Sequence, residues 1–263
     1  MAHLEIAPWE PEETMGKLWH LLAARMDPSP RFPEAAVRFE TLRGRIAVLF
    51  RGLGGAQDVE MKPVADQAGA HRISWRRRLA QEAEHLARTS FDGEALRLPA
   101  ELAVFPTPQE NEGLYLWLAA ITAHAPSAPP PDPALHDDPF RADLAAIAAG
   151  MAMMRATLAS APGLRPLYAR LCVAHLALRQ RPTLRGTEAA VEGVIRHLLG
   201  DPTAPEPALL AQYTAPPPSW RAPKGYRPML PVPMWPDLRG LAQGSPAGVA
   251  SLPTSGTPEE AGD

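Results

Sequence analysis

A single cysteine in 263 residues excludes a disulfide framework and, with no CxxC pair, a zinc ribbon as well. Long apolar runs are missing too. The longest uncharged apolar stretch, Leu144–Met154, has eleven residues, where a bilayer-crossing helix needs roughly 20. The first residues, Met1-Ala2-His3-Leu4-Glu5, offer neither a basic nor an apolar leader region, so the sequence predicts no signal peptide. Positive charge is not in surplus: 26 Lys and Arg against 29 Asp and Glu leave a net charge of -3. That balance speaks against a dedicated nucleic-acid binder, whose phosphate contacts demand a basic excess. Catalytic signatures are absent as well, with no HExxH, GxSxG or GxxxxGK[ST]. These absences leave a soluble, cytoplasmic protein with no membrane insertion and no nucleic-acid partner.

What the chain has in quantity is proline, 32 residues unevenly placed. Nine precede Ala125, six fall in Pro126–Pro139, three in Pro162–Pro182 and fourteen in Pro202–Pro258. Proline fixes φ and removes a backbone donor, so no packed helix or sheet is expected through the last stretch. The foldable part is about the first 200 residues, a length that buries roughly 70% of its unfolded surface. The distribution divides the chain into a helical lobe with a small β element (1–125), a Pro-rich linker (126–137), a three-helix lobe (138–201) and an extended Pro-rich segment running into a linker (202–263). The expected fold is mainly α, two-lobed, with a small β-hairpin element and an extended Pro-rich C-terminal tail.

Periodicity supports this reading. Met15, Leu18, Trp19, Leu22 and Met26 recur at helical spacing. A second helix is predicted after Pro33, with Val37, Leu42, Ile46, Leu49, Phe50 and Leu53 inward and Gly52, Gly54 and Gly55 at its exit. Trp75, Leu79 and Leu86 seed a third. Thr107 and Glu110 form a capping box before a helix with Leu114, Trp117, Leu118 and Ile121 on one face. Between them, Asp92-Gly93 is a hairpin signal flanked by Leu96–Leu98 and Ala103–Phe105, with Val59–Met61 as a third edge. Pro99 should shorten whatever strands form. In the second lobe Asp138 caps a helix with Pro139 in its first turn and a stripe of Leu144, Ile147, Met151, Met154 and Leu158. Leu167, Leu171, Ala174 and Leu178 mark the next helix. Val191, Val194, Ile195 and Leu198 mark the last, which stops at Gly200-Asp201-Pro202.

Candidate chemistry is sparse. Arg51-Gly52-Leu53-Gly54-Gly55 lacks the lysine and hydroxyl of a phosphate loop and reads as a helix terminus. Cys172 and His175 stand three apart on one helix, a spacing that places two metal ligands on one face. No second cysteine or HxxxH pair completes the set, and a lone cysteine beside a core stripe is more often buried packing. Arg76 and Arg77 beside Trp75 suit phosphate or base contacts. However, Glu82 lies four residues beyond Arg78 and Glu84 four before Arg88, which favours a solvated face or an acidic partner. Met151, Met153 and Met154 read as ordinary packing. The tail is more informative. Trp220, Arg227, Pro231, Pro233, Met234 and Trp235 combine extended backbone with large side chains, a composition that lies along a groove at low entropic cost.

Taken in order, these residues resemble the NorD family. The resemblance rests on Phe32-Pro33-Glu34-Ala35, Leu49-Phe50-Arg51 with Gly54-Gly55-Ala56, Leu96-Arg97-Leu98-Pro99, and Leu102 through Pro106. It continues in Asn111, Leu114-Tyr115, Trp117-Leu118-Ala119, Pro162-Gly163-Leu164-Arg165, Tyr168, Arg170-Leu171, Ala174-His175-Leu176 and Pro231-Val232-Pro233-Met234-Trp235. It runs from Trp9 to Pro236. The resemblance implies an adaptor, not an enzyme. Such an adaptor is paired with a MoxR-class AAA+ ATPase (NorQ-like) and has nitric oxide reductase as its client, assisting non-haem iron insertion. The related CbbO proteins of rubisco activation imply an alternative client, and a metal-binding protein using Cys172 and His175 is the alternative from another class. In the family a von Willebrand factor A domain follows, with an Asp-x-Ser-x-Ser motif that holds Mg²⁺. That motif does not occur in this sequence, so a longer protein or a truncated product is expected, with no cofactor site in this chain.

Overall fold

The structure, a computed structural model, describes residues 31–64, 89–130, 138–179, 184–204 and 219–242. The helices predicted around Met15–Met26 and Trp75–Leu86, with Arg76 and Arg77, lie outside these residues, as do most of the linker and the last 21 residues.

The segment after Pro33 does not begin as the helix that the sequence predicts. A 3-10 turn, Pro33–Ala35, leads into strand β1, Val37–Arg38, and only then into helix α1, Phe39–Gly52. The cause is tertiary. Phe32 N donates to Ala103 O at 2.9 Å, Phe39 N donates to Ala100 O at 2.9 Å, and β1 pairs antiparallel with β5, Glu101–Leu102. Phe39, Leu42, Ile46 and Phe50 then fall on one buried face of α1 at helical spacing. Leu49 and Val37 are only partly buried. The glycine exit holds: Gly54 takes φ 97°, and a Cβ on Gly55 would sit 2.2 Å from the Phe50 ring.

The β element is a three-stranded sheet. Its centre is β4, Ala95–Pro99, with β2, Glu60–Val64, parallel on one edge and β3, Ser90–Phe91, antiparallel on the other. The Asp92-Gly93 turn joins β3 to β4; Asp92 Oδ1 accepts from Glu94 N at 3.0 Å and Ala95 N at 2.8 Å, and Gly93 takes φ 94°. Val59–Met61 does lead into the further edge. Ala103–Phe105 is not a strand, because Val104 N and Phe105 N donate to Asn111 Oδ1 at 3.0 and 2.9 Å instead of to a neighbouring strand.

Helix α2, Pro108–Ala123, starts at the expected capping box: Thr107 Oγ1 accepts from Glu110 N at 3.3 Å and donates to Glu110 Oε2 at 2.8 Å. It is buried on all sides rather than on one face, with Tyr115, Ala119 and Ala120 as enclosed as Leu114 and Trp117. A helix apolar all round belongs at the centre of a fold, and α2 packs on α1 and on the first two of the three helices that follow.

Those are α3, Pro139–Ser160, α4, Arg165–Leu178, and α5, Gly186–Leu198. Asp138 caps α3 as expected, accepting from Arg141 N at 3.0 Å. By length and composition α3 could cross a bilayer, having a mean hydropathy of 1.3 over its most apolar window. Here it is a core helix, with Phe140, Leu144, Ile147 and Met153 buried. Its inner face is turned from the predicted stripe: Met153 is enclosed, whereas Met151, Met154 and Leu158 are partly buried. On α4 the enclosed face is Tyr168, Leu171, Cys172 and His175, with Leu167, Ala174 and Leu178 at its margins. On α5 Val191, Val194 and Ile195 are buried as predicted, and the chain leaves at Gly200 with φ 81°. The helices before and after the Pro-rich linker share one hydrophobic core, which reaches from Phe39 to Leu238.

Candidate functional site: a proline-rich strap held in a groove

Residues 219–242 carry no helix longer than a 3-10 turn, yet they are not a free tail. Val232, Met234 and Leu238 are buried at 4%, 0% and 7% exposure. Proline cannot extend a ladder, so the backbone of this strap is held mainly by side chains of the helices beneath it.

The anchors run in order along the strap. Asp138, besides capping α3, accepts from Ala222 N at 2.8 Å. Burial opposes ionisation of its carboxyl. The N–H donors of Ala222, Arg141 and Phe140 nevertheless hold it below the usual carboxylate range. Phe140 stacks on Trp220 at 5.8 Å and meets Tyr226 edge-on at 5.3 Å. Asp143 Oδ2 accepts from both Tyr226 Oη and Met229 N at 2.7 Å. Glu188 Oε1 accepts from Arg227 N at 2.9 Å. Arg179 donates to Leu230 O at 3.1 Å and Pro231 O at 3.4 Å. Trp117 Nε1 donates to Met234 O at 3.0 Å. At the far end Asp237 N donates to Thr89 O at 2.8 Å and Phe91 N to Asp237 O at 3.0 Å, joining the strap to the sheet.

Of the predicted contact residues, those on the strap can be placed, whereas Arg76 and Arg77 lie outside the described residues. Trp220 is half-buried on Phe140, and Arg227 projects outward with its Nε 3.7 Å from Glu188. Pro231 and Pro233 are partly buried. Met234 is wholly enclosed and offers no side-chain surface to another molecule. Trp235 lies on α3 over Gly150, where a Cβ would come within 2.6 Å of its ring, so only glycine lets the indole seat.

Cys172 and His175 do come together on the inner face of α4, but as packing groups. Burial pushes the Cys172 thiol up to about 11. Burial, and then the charges of Arg179 and Arg196, bring His175 down to about 3. Arg179 Nη1 lies 3.2 Å from His175 Nε2, so that nitrogen accepts and the ring is neutral. Among the described residues no three His, Cys, Asp or Glu side chains gather as a metal site. Nearby, Arg179 grips Glu192 with two bonds of 2.8 and 2.7 Å, and Arg196 Nε donates to Asp201 Oδ2 at 2.6 Å. The Thr203 N–H and hydroxyl, with Arg196, lower Asp201 to about 2.

Arg179, Glu192, Asp143 and Trp117 do this work, and sequence reasoning singled out only Trp117, as core. Their partners are 13 to 117 residues away, and local pattern carries no signal for such pairs.

The chain is 39% identical to Protein NorD of Brucella suis over 230 residues, 87% of its own length. It belongs to the NorD family. Protein NorD of Stutzerimonas stutzeri is 35% identical over 198 residues, and an uncharacterised protein of Pseudomonas aeruginosa is 35% identical over 229. The chain spans about a third of the length of these relatives: 35%, 29% and 32%. No family model and no solved structure matches it. Asn111, Tyr115, Trp117, Tyr168 and Pro231–Trp235, which carry the resemblance to the NorD family in the sequence, are among the residues that close this core. Tyr115 Oη donates to Pro99 O at 2.7 Å, and Trp117 stacks on Tyr168 at 4.4 Å.

Proposed function

We propose that this chain is a non-enzymatic, cytoplasmic adaptor region that works with a MoxR-class AAA+ ATPase in maturing nitric oxide reductase. The observation that carries the reading is the 39% identity to Protein NorD across 87% of the chain. The buried state of Cys172 and His175 supports it: the thiol is protonated and the imidazole neutral at physiological pH, and both are committed to packing. The exposed parts of the strap, around Arg227 and Leu230, are surfaces where a client or the ATPase would touch it. The Mg²⁺ that the family resemblance implies goes with an Asp-x-Ser-x-Ser motif, which does not occur in this sequence. It takes no part in this reading. Work on the client would come from ATP hydrolysis by the partner, while this body supplies recognition.

The test is genetic. Cells lacking the NorD-family gene are supplied with the full-length relative, or with the same protein lacking the region equivalent to residues 31–242. Nitric oxide reductase activity and its non-haem iron are expected to return only in the first case. Full recovery without this region would overturn the reading.

A further inference from the structure

We infer that the groove beneath the strap is a binding site for an extended, proline-containing peptide, with residues 229–238 as its resident occupant. This inference does not rest on the adaptor reading.

The groove recognises its occupant in the way peptide sites do, by reading backbone and accepting side chains at intervals. Arg179 reads two carbonyls, those of Leu230 and Pro231, and Trp117 reads a third at Met234. Asp143 takes the N–H of Met229 and Thr89 O takes that of Asp237. None of these contacts needs an N–H at positions 231, 233 or 236, which are prolines. Residues 232, 234, 236 and 238 are buried, and those between them are partly buried. Every second side chain thus enters the protein, and the Trp235 ring lies over the bare backbone of Gly150.

Several contacts that hold the walls do not involve the occupant. The two bonds from Arg179 to Glu192 do not involve the strap, so the buried guanidinium has a partner independent of the occupant. Asp138 retains the cap of α3, and Trp117 keeps its stack on Tyr168. The fit is also imperfect. Trp235 Nε1 is buried without a hydrogen-bond partner among the described residues, and Leu230 is 46% exposed. Fourteen residues, 205–218, separate the strap from the helical body in sequence, a tether reaching at most about 50 Å. A tether of that length holds the occupant by an effective concentration in the millimolar range. A segment of the same pattern on another chain would have to exceed that to replace it.

The experiment uses the full chain with a protease site inserted within 205–218, cut under native conditions. A fluorescein-labelled peptide of residues 229–238 is then titrated in and its anisotropy followed, with the uncut chain as control. Saturable uptake by the cut chain is expected, competed by unlabelled peptide and at least about tenfold weaker in the uncut chain. Trp117→Phe, which keeps a smaller aromatic ring against Tyr168 and removes the donor to Met234 O, should weaken uptake by about five- to tenfold. In the uncut chain Trp235→Ala should raise uptake by loosening the resident strap. Far-UV circular dichroism should be unchanged after cutting and exchange. Failure of the cut chain to take up peptide while its helices persist would overturn the proposal. So would loss of the helical signal as the strap fragment is competed away, since the strap would then be an inseparable part of the core.

Discussion

Asn111 ties the chain ahead of α1 to the turn that enters α2. Its Oδ1 accepts from Val104 N and Phe105 N, and its Nδ2 donates to Ala35 O at 2.9 Å and Phe105 O at 2.8 Å, with the Asn111 side chain itself buried. Asn111→Ala would leave several backbone groups buried without partners, each costing about 1–3 kcal/mol. A loss of about 3 kcal/mol is expected in urea denaturation, and a loss below about 1 kcal/mol would refute this role. His175 makes a prediction in pH. Its folded pKa, about 3, lies below that of the unfolded chain, near 6.5. The unfolded state therefore takes up a proton first as pH falls. Stability from this group is full above pH about 6.5 and declines toward pH 3, by at most about 1.4 kcal/mol per pH unit. Between pH 6.5 and 5.5, above the range where most carboxylates titrate, His175→Gln should flatten the slope of unfolding free energy against pH. An unchanged slope would mean that the imidazole is not held neutral in the fold.

Helix starts are the best-specified elements, because a cap is local chemistry. Thr107 with Glu110, and Asp138 with Pro139, were legible in the sequence and stand as read. Asp138 has a second task that no spacing reveals, the hold on Ala222 N. Asp138→Ala should cost about 1–2 kcal/mol, the usual value of an N-cap plus the strap contact. Asp138→Asn, which retains an acceptor, should cost less than half as much in the same thermal melts. The faces of α2 and α3 were less legible. A stripe of Leu114, Trp117, Leu118 and Ile121 suggests one apolar side, yet the alanines and Tyr115 between them are equally enclosed. On α3 the position that matters most is a glycine, which hydrophobic periodicity cannot score. Gly150→Ala should stabilise an isolated helix by about 1 kcal/mol. Here it should destabilise by about 1–3 kcal/mol through collision with Trp235. Adding Trp235→Ala should recover part of that loss, and equal losses in the single and double variants would contradict the packing.

For the molecule as a whole, proline density located the strap correctly as a segment without regular structure, and composition alone made it a tail. It became part of the body through contacts with Asp143, Arg179 and Trp117, which lie 51 to 117 residues away in sequence. The same distance effect hid the pairing of β1 with β5 and the shared core of the two helical groups. Family membership was legible early because it depends on ordered residues rather than on their contacts. Under the proposed function this closed body recognises a partner, and the partner supplies the chemistry. Isothermal titration of the chain against a MoxR-class ATPase hexamer with bound nucleotide, and separately against detergent-solubilised nitric oxide reductase lacking its non-haem iron, tests that claim most directly. Saturable binding to at least one of the two, with an affinity of about 1–100 μM and weakened by Arg227→Glu, is the expected result. A folded chain that takes up neither would contradict it.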